Sequence, residues 1–339
     1  MILWTLIAAA WSAELRAVRA GDTVESIAES LGDVALASAI RGLNDLGADE
    51  QPLIGQLLTL PSPTVPQVEQ QSFLVSVIGE VTVRYPTASS ASPARAFSSL
   101  PTGSVVCTGE DSNASLRLAS SCAGQGFESD DVALFEETCV EVRSVVASEL
   151  GRSTVLRVLS GSISVADRAS GGPARITVQA GPGVAMGQGG FRVHLEPSAS
   201  LRAEALTREL AVLGAGAETV LSAGQGVRVR PDAPPGEIVD LLGAGPLLEP
   251  GPGVPLRRPV FRWEPDPEAF GYLFSIAGDQ LHTKILYQEP LVEPAHIPKL
   301  LLLTTRDEGG LWWRVASFDH LGFLGLPTPA RPFGLPLEE

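Results

Sequence analysis

From Phe73 onward apolar residues recur at every second position, and this alternation constrains the chain more than any other feature. Successive side chains of a strand point to opposite faces, so a period of two marks a sheet with one buried face. Phe73, Val75 and Val77, then Val81, Val83 and Tyr85, flank Gly79-Glu80 and read as two strands about a turn. Further strands fit 104–107, 115–119, 140–146, 155–165, 175–179, 191–195 and 226–229, and the breaks between them are rich in Gly, Ser, Asn and Asp. Residues 201–212 are the helical candidate of this region. The Gly-rich run 181–187 reads as a turn, because a dinucleotide fingerprint needs a different spacing and leads into a helix. Glycine (35) and proline (27) against 6% aromatic residues also favour short strands and turns. The fold class expected is mainly β with a small α+β module.

That module comes first. Residues 15–19 alternate like a strand, and Gly21-Asp22-Thr23 then supplies a turn and an N-cap. Val24, Ile27, Ala28 and Leu31 follow at helical spacing, and Leu36, Ala39, Ile40 and Leu43 mark a second helix over 34–43. Residues 56–60 return as a strand closed by Pro61, so the order is β-α-α-β. The organisation expected is a signal peptide at 1–13, the module at 14–62, a Pro-rich linker at 63–72, a β domain at 73–230, a Pro/Gly linker at 231–258 and a β-sandwich at 259–339. In the last segment Val260-Phe261-Arg262-Trp263, residues 272–276 and residues 311–319 alternate around aromatics. Trp312 and Trp313 then face opposite ways: one belongs to the core, and Trp312 is the candidate protein contact.

The formal charge of −15 and the presence of only Lys284 and Lys299 among lysines leave no basic stripe with which to neutralise phosphates. Nucleic acid is thereby excluded as a partner. The apolar run 1–13 is too short to span a bilayer, which needs ~20 residues, but matches the h-region of an export signal; no membrane span is expected. Cys107, Cys122 and Cys139 lie in no Cys-x-x-Cys pair, so no metal site is expected. In an oxidising compartment Cys122 and Cys139 are the preferred pair, stapling neighbouring strands across an acidic loop, although three cysteines permit three pairings. His194, His282, His296 and His320 are scattered singly, and no HExxH or GxSxG motif occurs. No enzyme and no cofactor are expected.

Three resemblances add to this. Val18 through Gly21-Asp22-Thr23, Ile27-Ala28, Asn44 and the ending Ile54-Gly55-Gln56-Leu57-Leu58-Thr59-Leu60-Pro61 resemble a lysin motif (LysM). Members of that family bind N-acetylglucosamine chains of peptidoglycan or chitin. The resemblance implies a groove between the loop of Gly21, Asp22 and Thr23 and the loop from Asn44 to Leu53 and Ile54. Val77-Ile78-Gly79-Glu80-Val81-Thr82-Val83, Thr108-Gly109-Glu110-Asp111-Ser112-Asn113-Ala114, Val158 to Val165 and Leu221-Ser222-Ala223-Gly224-Gln225 resemble the FecR domain family, implying an elongated or solenoid-like all-β domain at 73–230. Where that family has an Arg-Gly-Thr step this chain has Met186-Gly187-Gln188-Gly189-Gly190 before Phe191, and the cytosolic helical segment and membrane span of its iron regulators have no counterpart. Trp313-Arg314-Val315 through Asp319 to Gly322 looks like a bacterial fibronectin type III-like strand.

Together these imply an exported protein of the periplasm or cell envelope. The function expected is a non-catalytic adaptor that binds peptidoglycan or a related N-acetylglucosamine glycan through residues 14–62 and presents its β domains to an unidentified envelope protein. The alternative is an envelope sensor or regulator acting through the FecR-like domain with a separate membrane partner. A cell-wall glycosidase, which needs two placed carboxylates, comes third.

Overall fold

The computed structural model describes residues 14–61, 68–120, 128–148, 151–166, 174–251, 260–298 and 310–334. The expected export segment and Cys122 lie outside the described residues. The chain is mainly β, with large curled antiparallel sheets and two helices among the described residues.

In the amino-terminal module, strand Glu14–Ala17 pairs antiparallel with strand Leu57–Leu60, from Glu14 opposite Leu60 to Ala17 opposite Leu57. Between them run helix α1 (Val24–Ser30) and helix α2 (Leu36–Leu43). Helix α1 starts where the sequence predicts. Thr23 Oγ1 accepts from the Ser26 N–H at 3.0 Å while Ser26 Oγ accepts from the Thr23 N–H at 2.8 Å, a reciprocal cap that satisfies two otherwise unpaired donors. Val24, Ile27 and Ala28 are buried with Val18, Ile40, Leu58 and Leu60. Helix α2 begins two residues later than expected, because Asp33 Oδ1 accepts from the Ala35 N–H and holds residues 33–35 as a turn. Its inner face becomes Leu36, Ala37 and Ile40, and Ala39 and Leu43 are exposed.

The central domain consists of two sheets that share one strand. Strand Gly151–Val165 pairs through Gly151–Ser160 with Cys139–Ser148 and through Arg152–Val158 with Ala174–Ala180, then through Gly161–Val165 with Phe191–Leu195 and through Ile163–Val165 with Val132–Leu134 of the strand Glu128–Leu134. The change of partners falls at Gly161, in the left-handed region at φ +76°; a Cβ there would lie 2.7 Å from both Glu137 O and Thr138 Cα. A bulge in the register at Cys139/Val140 accompanies the bend. One sheet then continues through Gly183–Gly187, Leu210–Gly214 and Ala217–Leu221, the other through Leu201–Ala205 and Gln225–Val229. Val106, Val140, Leu156, Val178 and Val212 of one sheet and Leu116, Val132, Ile163, Val193 and Val227 of the other fill a single core. The pairing of 152–158 with 174–180 is parallel and the other pairings of this domain are antiparallel, so the sheets close on one core and do not stack as parallel coils.

Four sequence expectations are corrected here. Residues 201–212 hold two strands, Leu201–Ala205 and Leu210–Gly214, and no helix. Leu, Arg, Ala and Glu favour helices, but Leu201, Ala203 and Ala205 face the core at period two, and tertiary context overrides propensity. The Gly-rich run contains the strand Gly183–Gly187, buried throughout, because the amino-terminal module covers its outer face. The acidic loop expected between Cys122 and Cys139 includes the strand Glu128–Leu134, whose Asp131 pairs with Arg117 of the neighbouring strand at 2.9 Å. Finally, Cys139 is bonded to Cys107, not to Cys122. The register of strand Val105–Thr108 against Cys139–Ser148 sets Cys107 directly opposite Cys139, with Cα atoms 4.1 Å apart.

The third unit is a two-sheet sandwich. Leu247–Glu249, Phe261–Trp263 and Ala295–His296 form one sheet, and Ile285–Leu291, Gly271–Ala277, Leu311–Phe318 and Arg331–Phe333 the other. Phe261, Trp263, Phe274 and Trp313 meet in its core with ring centroids 4.8–6.2 Å apart. Leu247, from the stretch read as linker, is buried among them. Trp313 is the core tryptophan, and Trp312 is half-buried on the opposite face of its strand.

Candidate functional site

The loops that the lysin-motif resemblance assigns to glycan lie side by side. Gln51 Oε1 accepts from the Val24 N–H at 3.3 Å, and the Gly55 N–H donates to Val18 O at 2.8 Å. Gly21 is exposed, and Leu53 is the more conspicuous surface apolar group at 73% exposure. Asp22 and Thr23 are half-buried and serve the module itself: the Asp22 carboxylate accepts from the Arg19 N–H at 3.0 Å and pairs with Arg16 at 3.4 Å, while Thr23 caps α1. Asn44 is likewise committed. Its Nδ2 donates to Ile40 O and Thr59 O at 2.8 and 2.7 Å, and its Oδ1 accepts from the Thr59 N–H at 2.7 Å, tying the end of α2 to the last strand. Its side-chain donors and acceptor therefore face backbone, so Asn44 shapes the loop that carries Leu53.

Ile54 points elsewhere. With Ala17 and Leu57 it packs on Val184, Met186, Ala211 and Leu213 of the central domain. Beside this contact Glu218 accepts from Arg19 Nε at 2.9 Å and from the Ala20 N–H at 3.0 Å. Burial pushes the Glu218 carboxyl up, but the Arg19 guanidinium and the Ala20 N–H outweigh it and hold the carboxyl below its ordinary range; the hydrogen bond from Arg19 raises that guanidinium in turn. One rim of the groove is thus clamped to the hairpin of Leu210–Gly214 and Ala217–Leu221, and Gly21 and Leu53 are left open.

A second junction joins the central domain to the third unit. On the outer face of the central sheet, Arg228, Glu196, Arg202, Glu204 and Arg192 form a charge ladder with contacts of 2.9, 3.3, 3.4 and 2.7 Å. Alternation puts these residues opposite the core-facing Val193, Ala203 and Val227. The loop after strand Leu311–Phe318 covers the ladder. Asp319 Oδ1 shapes the loop by accepting from the N–H groups of Leu321 and Phe323 at 2.9 and 2.8 Å. Arg192 donates to Leu324 O and Gly325 O, the Leu324 N–H donates to Glu204 Oε1 at 2.8 Å, and the Phe323 ring lies under Arg202 and Arg228. The Asp319 and Gly322 of the fibronectin-like motif therefore build a clasp between domains, a role that no local pattern announces.

Beside the clasp a cleft of about 750 Å³ opens between the two units, lined by Ser162, His194, Asn113, Leu273, Gln288 and Phe318 among others. Ser162 Oγ and His194 Nδ1 are hydrogen-bonded across neighbouring strands. Burial, reinforced by Arg202 and Arg228, pushes the His194 imidazole down to about 4, so it is neutral at pH 7. Asn113 is 7% exposed and its Oδ1 has no partner. This cleft went unseen in the sequence because its walls come from strands far apart in the chain. Among the described residues no group of three or more His, Cys, Asp or Glu could hold a metal ion, and no helix is long and apolar enough to cross a membrane.

No family model matches the chain, and no curated protein matches it. The three resemblances therefore rest on the residues quoted for them.

Proposed function

We propose that the protein is a non-catalytic adaptor of the cell envelope that holds N-acetylglucosamine glycan through its amino-terminal module and displays its β domains to a protein partner. The observation that supports this best is the pair of adjoining loops with Gly21 and Leu53 exposed, on a module anchored to the central domain by Ile54 and Glu218. An open backbone loop offers donors and acceptors for acetamido groups, and Leu53 an aliphatic wall for a sugar face. The segment 14–62 contains no aromatic residue on which a pyranose could stack, so one site binds weakly and retention depends on further attachment. Co-sedimentation of the full chain with purified sacculi tests this. Enrichment over a tag control, reduced severalfold in Leu53→Asp, is the expected result; no enrichment at high protein concentration overturns the reading.

The cleft between the central domain and the third unit favours a second reading, an envelope sensor that signals through a separate membrane partner. Leu53→Asp separates the two in cells: an adaptor loses wall retention and function together, whereas a sensor keeps its response.

A further inference from the structure

A smaller cavity of about 410 Å³ lies on the far side of the clasp, between the central sheet and the outer face of strand Leu311–Phe318. This volume lies within the ~300–1,000 Å³ of small-molecule sites. Arg314, His282, Thr283, Ser164, Thr207 and Thr328 are among the residues that line it. Two of these carry the inference. Arg314 has no carboxylate within ion-pair distance among the described residues, and Arg192 repels it. Burial pushes its guanidinium down to about 10, with that repulsion adding to the effect and Asp279 opposing it. His282 is 3% exposed, and its ring nitrogens make no hydrogen bond of good geometry, the backbone of Ser275 and Gln280 being the polar groups beside them. Burial, with Arg314 beside it, keeps that ring neutral, which leaves one N–H donor and one acceptor.

Two acids lie near: Asp131 also lines the cavity, where Arg117 neutralises it, and Asp279 holds the turn beside it. Asp279 accepts from the N–H groups of Thr283 and Lys284 at 3.0 and 2.6 Å, and Asp131 is paired with Arg117. Arg314 is half-buried, and a guanidinium fork matches a carboxylate or phosphate in two parallel hydrogen bonds. We infer that this cavity is a binding site for a compact oxyanion-bearing molecule, a carboxylate or a phosphate, held by Arg314 with the His282 ring as second contact. Such a ligand touches both units and ties the third unit to the central domain. The site is separate from the glycan loops, and its failure or success leaves the proposal for those loops untouched.

The test is a thermal-unfolding titration of the full chain with sodium acetate, sodium succinate and inorganic phosphate, at ionic strength held constant with sodium chloride. The expected result is a saturable rise in Tm with a carboxylate or with phosphate, roughly 3–6 °C at ten times Kd. Which series saturates identifies the ligand class. Arg314→Met keeps the apolar stem and removes the charge, and it should weaken the saturating anion at least tenfold. No saturation in any series, or saturation unchanged in Arg314→Met, overturns the inference. If Arg314→Met does not fold, repeating the wild-type titration at two ionic strengths decides. A midpoint that persists supports the site, and a shift that follows total salt alone refutes it.

Discussion

Replacing Glu204 with glutamine removes a carboxylate that faces Arg192 and Arg202 together. The Glu204 side chain is almost fully buried, with Oε2 2.7 Å from Arg192 Nε and Oε1 2.8 Å from the Leu324 N–H. The Arg192 contact is a close ion pair in which the Coulombic attraction outweighs the hydrogen bond. Removing one partner of a buried pair costs about 3–5 kcal/mol, because the remaining charge loses its counter-ion. Glutamine can still accept from Leu324, which keeps the expected loss near the lower end, about 3 kcal/mol. Replacing both partners, Arg192→Met with Glu204→Gln, removes the stranded charge and keeps an acceptor for the Leu324 N–H. The Leu324 and Gly325 carbonyls then lack their donor, so the double variant should sit only about 1–2 kcal/mol below wild type. Urea unfolding followed by tryptophan fluorescence reads this directly, since Trp263 and Trp313 both lie in the third core. At ~2 kcal/mol/M the single variant should lower the midpoint by roughly 1.5 M. A shift below about 0.3 M, or a double variant no better than the single one, would refute the view that the ladder is a desolvated clasp.

The His194 ring gives a pH signature. Its pKa falls from 6.5 to about 4 on folding, so the folded state is poorer in protons between these values. The stabilisation is complete above pH 6.5 and is lost as pH falls toward 4, by at most about 3 kcal/mol and less to the extent that water reaches the half-buried ring. Equilibrium unfolding of wild type and His194→Gln across that range should show a flatter slope in the variant. Gly161→Ala combines a left-handed φ with a Cβ pressed on Thr138, and should cost about 2–4 kcal/mol in chemical denaturation; a loss under 0.5 would argue against the close crossing. Reducing Cys107–Cys139, which spans 32 residues, should lower stability by roughly 3–4 kcal/mol, and mass mapping of the oxidised protein should find Cys122 outside that bond. Glu218→Ala should increase amide exchange in residues 14–61 with a cost of about 1 kcal/mol, since Arg19 is partly exposed.

How far the fold was legible depended on whether a pattern was local. The cap at Thr23, the two helices and the strands at 104–107, 175–179 and 191–195 follow from contacts within one turn or from alternation within one strand, and the chain carries both in order. Residues 201–205 and 183–187 escape sequence patterning because what decides them lies elsewhere: Glu204 and Arg202 find opposite charges in Arg192 and Glu196, on and just beyond the neighbouring strand, and the 183–187 strand is covered by residues more than a hundred positions earlier. Of the residues assigned to the glycan site, Gly21 and Leu53 remain open. Asn44 and Ile54 turn to internal partners that spacing cannot reveal.

By itself, then, the sequence determined that this chain is mainly β, that a small helical module precedes the sheets, and that acidic residues outnumber basic ones, since composition and periodicity are properties of the chain alone. Only the tertiary structure decided that Cys107 faces Cys139, that one strand serves two sheets, and that Glu204, Arg192 and the Asp319 loop meet. Register and domain docking are settled by side chains brought together from distant segments, and a buried charge declares its partner only when both have left the water.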